Sequence, residues 1–279
     1  MAGINYAEVR PWSLYDLINT PLPETPQYIG RGVLPRGAKM LFGGAAKMGK
    51  SWMGLSLGRA LALGIPLYNI PDFIVPEPVK VLLIEQEVGP HELQQRIKPI
   101  FLGDDEEKLK TNFFVLSGFR GFRLDDARAE GFLCEQVHKL GINVVILDPI
   151  GKMHFFDESD NSQINRLFHT IDRILSACTE TGLSMVLSHH YGKPVKDPTL
   201  DWDKLDPYNF RGASKFYDDP DTLVTGFRQD GPNENCWRIR TRWILRHAPP
   251  MPDNTLKFNY GGDLRVKTSG VAEFDSGGL

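Results

Sequence analysis

Gly44-Ala45-Ala46-Lys47-Met48-Gly49-Lys50-Ser51 fits the phosphate-binding loop pattern G-x-x-x-x-G-K-[ST]. The apolar run Ala38 to Phe42 leads into it as a strand, and a helical stretch from Ser51 to about Leu63 follows. That order matters chemically. A chain turning sharply from strand to helix points backbone N–H groups inward, and the helix N-terminus adds partial positive charge for an anion. Gly44 and Gly49 permit the turn and the close approach of phosphate oxygens. Lys50 reaches the terminal phosphates, and the Ser51 hydroxyl ligates Mg²⁺. Ala45, Ala46, Lys47 and Met48 fill the variable part of the cradle, and Trp52 stands at the start of the helix behind it. The stretch predicts a nucleoside triphosphate site.

Working outward, strand-like apolar runs alternate with helical patterns. Val79 to Glu85 is a continuous apolar run ending in acid, and Asn112 to Leu116 is a shorter one. Gly121 to Gly141 reads mostly as helix and Asn143 to Leu147 as a buried strand. Between 162 and 181, Ile164, Leu167, Phe168, Ile171, Ile174 and Leu175 keep helical spacing, and Leu183 to Ser188 is another strand. Alternation with near-continuous apolar strands predicts an α/β fold, a mostly parallel sheet flanked by helices. The last third differs. Thr222 to Phe227, Trp237 to Leu245, Thr255 to Tyr260 and Leu264 to Lys267 read as successive strands, with turns such as Gly261-Gly-Asp263 suggesting antiparallel hairpins. Residues 1–30, with Pro21, Pro23 and Pro26, read as an arm or packed lead-in, and 31–279 as one domain.

Composition narrows the class. A chain of 279 residues with 41% hydrophobic residues can bury one large core or two modest ones. No apolar run approaches the roughly 20 residues needed to span a bilayer, and the N-terminus lacks a basic segment followed by an apolar one. Cys134, Cys178 and Cys236 are few, odd in number and widely spaced, which suits incidental thiols in a reducing cytoplasm. A net charge of −3 excludes a globally basic nucleic-acid coat but leaves room for a local concentration of lysines.

Two acidic positions complete the expected site. Gly141-Ile-Asn-Val-Val-Ile-Leu-Asp148 is an apolar strand ending in aspartate, the place from which an acid holds the Mg²⁺ shell beside a phosphate loop. Glu85 and Glu87 end the run Val81-Leu-Leu-Ile-Glu-Gln-Glu87, where ligands of open α/β sheets collect. Either could polarise an attacking water, with Glu87 freer to reach it.

These motifs, in order, resemble the RecA-like ATPases, in particular the branch of RepA-type hexameric replicative helicases of plasmids and phages. The resemblance runs from about Gly30 to the C-terminus. It rests on 43–51, on Glu87 with Arg96 nine residues later, and on Leu147-Asp-Pro149. Leu187-Ser-His-His-Tyr-Gly-Lys193 and Phe210-Arg-Gly-Ala-Ser214 complete it. It implies ATP with Mg²⁺, Glu87 as catalytic base, and His189 and His190 as sensors of the terminal phosphate. It further implies Arg211 as a finger reaching the neighbouring subunit's nucleotide, with Arg246 and then Arg242 as second candidates. A ring of identical subunits, single-stranded DNA and other replication proteins are the implied partners, with no membrane. From the residues alone, two adjacent histidines at a strand tip face opposite sides of the sheet, so only one reaches phosphate.

Two segments follow strand tips where this class places its central loops, 150–161 and 191–208. Lys152, His154, Lys193, Lys196 and Lys204 supply cationic groups, and Phe155, Tyr191 and Trp202 supply rings for base stacking. Asp157, Glu158, Asp160, Asp197, Asp201, Asp203 and Asp206 dilute that charge. A replicative helicase is therefore weighed against a recombination or repair ATPase without unwinding activity, and against an ATPase switch acting on a protein partner.

Overall fold

The computed structural model describes residues 10–45, 47–119, 121–192, 203–210, 212, 214–229, 236–259 and 272–274. Chain order begins with α1 (Leu14–Asn19), the short pair β1 (Gln27–Ile29) and β2 (Leu34–Pro35), β3 (Lys39–Gly44) and α2 (Lys50–Leu63). Next come β4 (Val81–Glu85), α3 (Pro90–Phe101), α4 (Glu106–Asn112), β5 (Phe113–Ser117), α5 (Ala127–Leu140) and β6 (Val144–Asp148). After them lie α6 (Asn161–Ala177), β7 (Ser184–His190), α7 (Lys215–Asp218), β8 (Thr222–Gln229), β9 (Cys236–Leu245), β10 (Asn254–Asn259) and β11 (Ala272–Phe274).

Among the described residues, nine strands form one sheet in the order β11-β10-β9-β8-β3-β7-β6-β4-β5. The pairs from β5 through β8 are parallel, and β8–β9, β9–β10 and β10–β11 are antiparallel. This is the α/β architecture expected from the alternating pattern. Its last third departs in one detail: β8 runs parallel to β3 and turns antiparallel only against β9. The expected strand Leu264 to Lys267 and its turn lie outside the described residues.

The buried strands divide their side chains between two cores because successive residues point to opposite faces. Met40, Phe42, Val81, Leu83, Val144, Ile146 and Val186 pack beneath α2. Leu41, Leu82, Ile84, Val145, Leu147, Met185 and Leu187 pack beneath α5 and α6. Each helix is set by its own ends: Asp126 and Asp160 cap α5 and α6, and Gly141 closes α5 in the left-handed conformation. Burial pushes the Cys178 thiol up to about 12.

The first thirty residues split. Helix α1 buries no residue and leaves Trp12, Leu14, Tyr15, Leu17, Ile18 and Leu22 exposed. Tyr28 and Ile29, by contrast, are core residues, and the Tyr28 hydroxyl donates to the Gly182 carbonyl at 2.8 Å. Among the described residues no helix is long and apolar enough to cross a membrane.

Candidate nucleotide site

The carboxyl ends of β3, β7, β6 and β4 line up along one edge of the sheet, in the register Gly44↔His190 and Glu85↔Asp148. Parity then sorts their side chains. Val81, Leu83 and Glu85 share the α2 face of β4, as Val144, Ile146 and Asp148 do on β6. On β7, Val186, Ser188 and His190 take that same face, and Met185, Leu187 and His189 take the other.

Two glycines shape the end of β3 and the loop after it. Gly49 has φ 110°, and helix α2 begins at the next residue. Gly43 lies so close to the Phe210 ring that a Cβ would collide with it, and that Cβ would stand 2.9 Å from the His189 carbonyl oxygen. Gly43→Ala is therefore expected to push the Phe210 ring out of its place against β3. It should lower unfolding stability by about 1–3 kcal/mol, as overpacking does, measured by urea titration. Met48 is buried under the loop, and Lys47 is exposed on its outside with φ 61°. Trp52 packs partly buried against the α2-side core, and Ala46 lies outside the described residues.

Lys50 is 6% exposed, and its Nζ donates to the Gly44 and Ala45 carbonyls at 3.2 and 3.1 Å. Burial pushes its pKa down to about 8, against the pull of the Asp148 and Glu87 carboxylates. A buried ammonium hydrogen-bonded to neutral carbonyls fits an anionic phosphate, which would relieve its desolvation. Asp148 is buried, and its carboxyl is pushed up by that burial while the Ser188 and Ser51 hydroxyls pull it back. A hydroxyl and one carboxylate fit Mg²⁺, which keeps waters and takes its remaining oxygens from phosphates.

The two glutamates separate by role. Glu85 is 3% exposed and turns its carboxylate onto the backbone of residues 87 and 88. Glu87 is half-exposed, with Oε1 3.8 Å from His190 Nε2. The His190 contact holds its carboxyl below the usual range, with Lys50 and Lys152 adding to the effect. His189 points the other way, its ring stacked 4.1 Å from Phe216 and 6.0 Å from Phe210. The structure thus gathers Lys50, Ser51, Glu87, Asp148, His190 and Lys152, and leaves His189 on the opposite face.

The remaining expected residues are placed elsewhere. Arg246 sits beside the start of β8, the opposite end from the loop, where it donates to the Asp218 carbonyl at 2.7 Å. Arg242 is held by Asp253 and Asp203. Arg211, Lys193, Lys196 and Trp202 lie outside the described residues. His154 is buried, its ring stacked on Phe156, and burial pulls its pKa down. Tyr191 is also buried, edge-on to Phe210. Phe155 is 75% exposed, with the Arg123 guanidinium 3.1 Å above its ring. Sequence reading passed over Arg123 because it lies 32 residues before Phe155 and on a different segment.

Several acids of 150–161 serve the local backbone. Asp157 accepts from Ser159, and Asp160 accepts from Ser162 and Gln163. Gly212 packs so tightly on Glu158 that a Cβ would meet its carbonyl oxygen, so residue 212 lies against the segment that leaves β6.

No curated protein matches the chain. A family model described as AAA domain (AAA_25) matches residues 6–195, which covers the phosphate loop, Glu87, Asp148 and the histidine pair. The chain belongs to the AAA_25 family of AAA domains, and its core is that of a phosphate-loop ATPase.

Proposed function

We propose that the chain is an ATP-hydrolysing, ring-forming motor on single-stranded DNA, a replicative helicase in kind. The observation that carries this reading is the segment leaving β6. It starts at the buried Asp148, passes Lys152 beside Glu87, and presents Phe155 with Arg123 stacked on it. An exposed ring under a guanidinium is a platform for an unpaired base. Hydrolysis and strand contact would then share one stretch of backbone.

In this reading Lys50 binds the terminal phosphates, and Ser51 with Asp148 holds Mg²⁺. Bound Mg²⁺ supplies charge neutralisation at the transferring phosphoryl group. Glu87 orients the attacking water and takes its proton, and His190 couples Glu87 to the tip of β7. Arg211 acts on the neighbour's nucleotide, so turnover depends on assembly. The exposed apolar arm around α1 suits a subunit contact, because a six-residue helix is too short to be stable alone in water.

ATP hydrolysis measured with and without single-stranded DNA, beside a strand-displacement assay, tests the reading. Stimulation by at least about tenfold with ATP-dependent displacement is the expected outcome, in the range an ordered catalytic group contributes. Stimulation without displacement would assign a recombination or repair ATPase. Absence of any DNA effect would assign a switch acting on a protein partner.

A further inference from the structure

Strand β4 leaves the sheet through Glu85-Gln86-Glu87-Val88, and each backbone donor of residues 86–88 has a fixed partner. The Gln86 N–H donates to the Asp148 carbonyl at 3.2 Å, and its side-chain amide donates to the Phe122 carbonyl at 2.8 Å. The N–H groups of Glu87 and Val88 donate to Glu85 Oε1 at 2.8 and 3.0 Å, and Val88 also reaches Oε2 at 3.1 Å.

The choice of acceptor is informative. A carboxylate buried to 3% exposure is costly to desolvate, and Asp148 stands beside it as a second acid. Among the described residues, Arg96 is the cation that opposes that pair at Glu85. Charge-assisted bonds from two backbone donors recover part of that cost, but burial still pushes the carboxyl up, so the arrangement does not stabilise the fold by itself. What the bonds do secure is geometry. They fix the Cα of Glu87 relative to Asp148 across β4 and β6, and so fix where its side chain starts toward His190 and Lys50.

We propose that Glu85 is a positioning residue for hydrolysis: its carboxylate clamps the backbone of Glu87 and Val88 and aims the Glu87 carboxylate at the attacking water. The inference rests on Glu87 acting as general base. Glu85 itself touches neither water nor nucleotide in this role. An error of about 1 Å in a positioned group can cost about 10²-fold in rate, which sets the scale of the effect.

The test compares Glu85→Gln, Glu87→Gln and the double variant in the full chain, with single-stranded DNA present and absent. Turnover is normalised to nucleotide-binding sites counted with a fluorescent ATP analogue, so that a misfolded fraction does not count as slow chemistry. Glu85→Gln is expected to lose about 10- to 100-fold in kcat per site, with ATP KM and analogue affinity within about twofold of wild type. Glu87→Gln should lose about 10³-fold, and the double variant should be no slower, because a clamp has no effect once the group it aims is gone. Glu85→Asp keeps the charge but falls a methylene short. It should show the same split between kcat and KM, and it keeps the test decisive if Glu85→Gln folds poorly. Normal turnover in both Glu85 variants, with Glu87→Gln inactive, would overturn the clamp and leave the base assignment standing. Turnover retained in Glu87→Gln would overturn the base assignment instead. A loss in affinity matching the loss in kcat would reduce Glu85 to a structural residue.

Discussion

Lys50→Ala is expected to abolish ATP hydrolysis, a loss of at least about 10³-fold of the kind seen when a preorganised charge contact is removed. Steady-state phosphate release measures it, and near-wild-type turnover would overturn the assignment of the loop. The physical basis is the buried ammonium, whose carbonyl partners are weak substitutes for phosphate oxygens. The same group predicts a pH signature in the nucleotide-free protein. Its folded pKa of about 8 lies below the ordinary lysine value of 10.5, so the folded state holds the proton less tightly than the unfolded chain. Below the folded value the charged lysine therefore weighs against folding. As pH rises from about 8 toward 10.5 the unfolded state binds more protons, and stability rises. Lys50→Ala lacks this contribution. The wild-type unfolding midpoint should accordingly gain on that of the variant across this window, and a constant offset would show that Lys50 is not desolvated in the folded chain.

Asp148→Asn is expected to separate stability from activity. Burial pushes the carboxyl up, so ionising it in the folded chain costs free energy that an isosteric amide does not. Sign follows from linkage. A raised acid pKa means that the folded state binds more protons between the ordinary and the raised value, so the wild type loses stability as pH rises through that window. The nucleotide-free variant should melt higher than wild type at pH 7, and the advantage should vanish in acid, where both side chains are neutral. Mg²⁺-dependent turnover should fall by about 10²-fold or more, because the amide no longer offers the metal a charge. Thermal melts with and without Mg²⁺-ATP check both halves. An Asp148→Asn protein less stable than wild type without nucleotide would show that Ser51 and Ser188 outweigh the desolvation.

Some elements were legible because their causes are local. The strand–loop–helix at 39–63 follows from glycines at 44 and 49 between an apolar run and a helical one, and the backbone turns there with φ 110° at Gly49. The alternation of apolar strands with capped helices specified the parallel sheet for the same reason. The elements not expected from the sequence are α1, α3, α4, α7, β11 and the β1–β2 pair. Helix α4 buries no residue, and α3 turns only Leu93 and Ile100 into the core. The β1–β2 pair is too short to show a period, although Tyr28 and Ile29 are core residues.

What the chain's order of residues determined by itself was the chemistry on offer: a phosphate loop, acids at strand ends, a histidine pair and basic loops. Which of these face one another was decided only by the tertiary structure, because the sheet pairs Glu85 with Asp148 and Gly44 with His190, residues far apart along the chain. Parity on β7 turned His190 toward Glu87, and the Phe210 and Phe216 rings took His189. The turn after β4 made Glu85 a backbone acceptor and freed Glu87. Packing buried His154 and left Phe155 outside, where Arg123 from another segment meets it. Motif spacing records which groups are present, whereas only the sheet order and the pleat set the direction in which each one points.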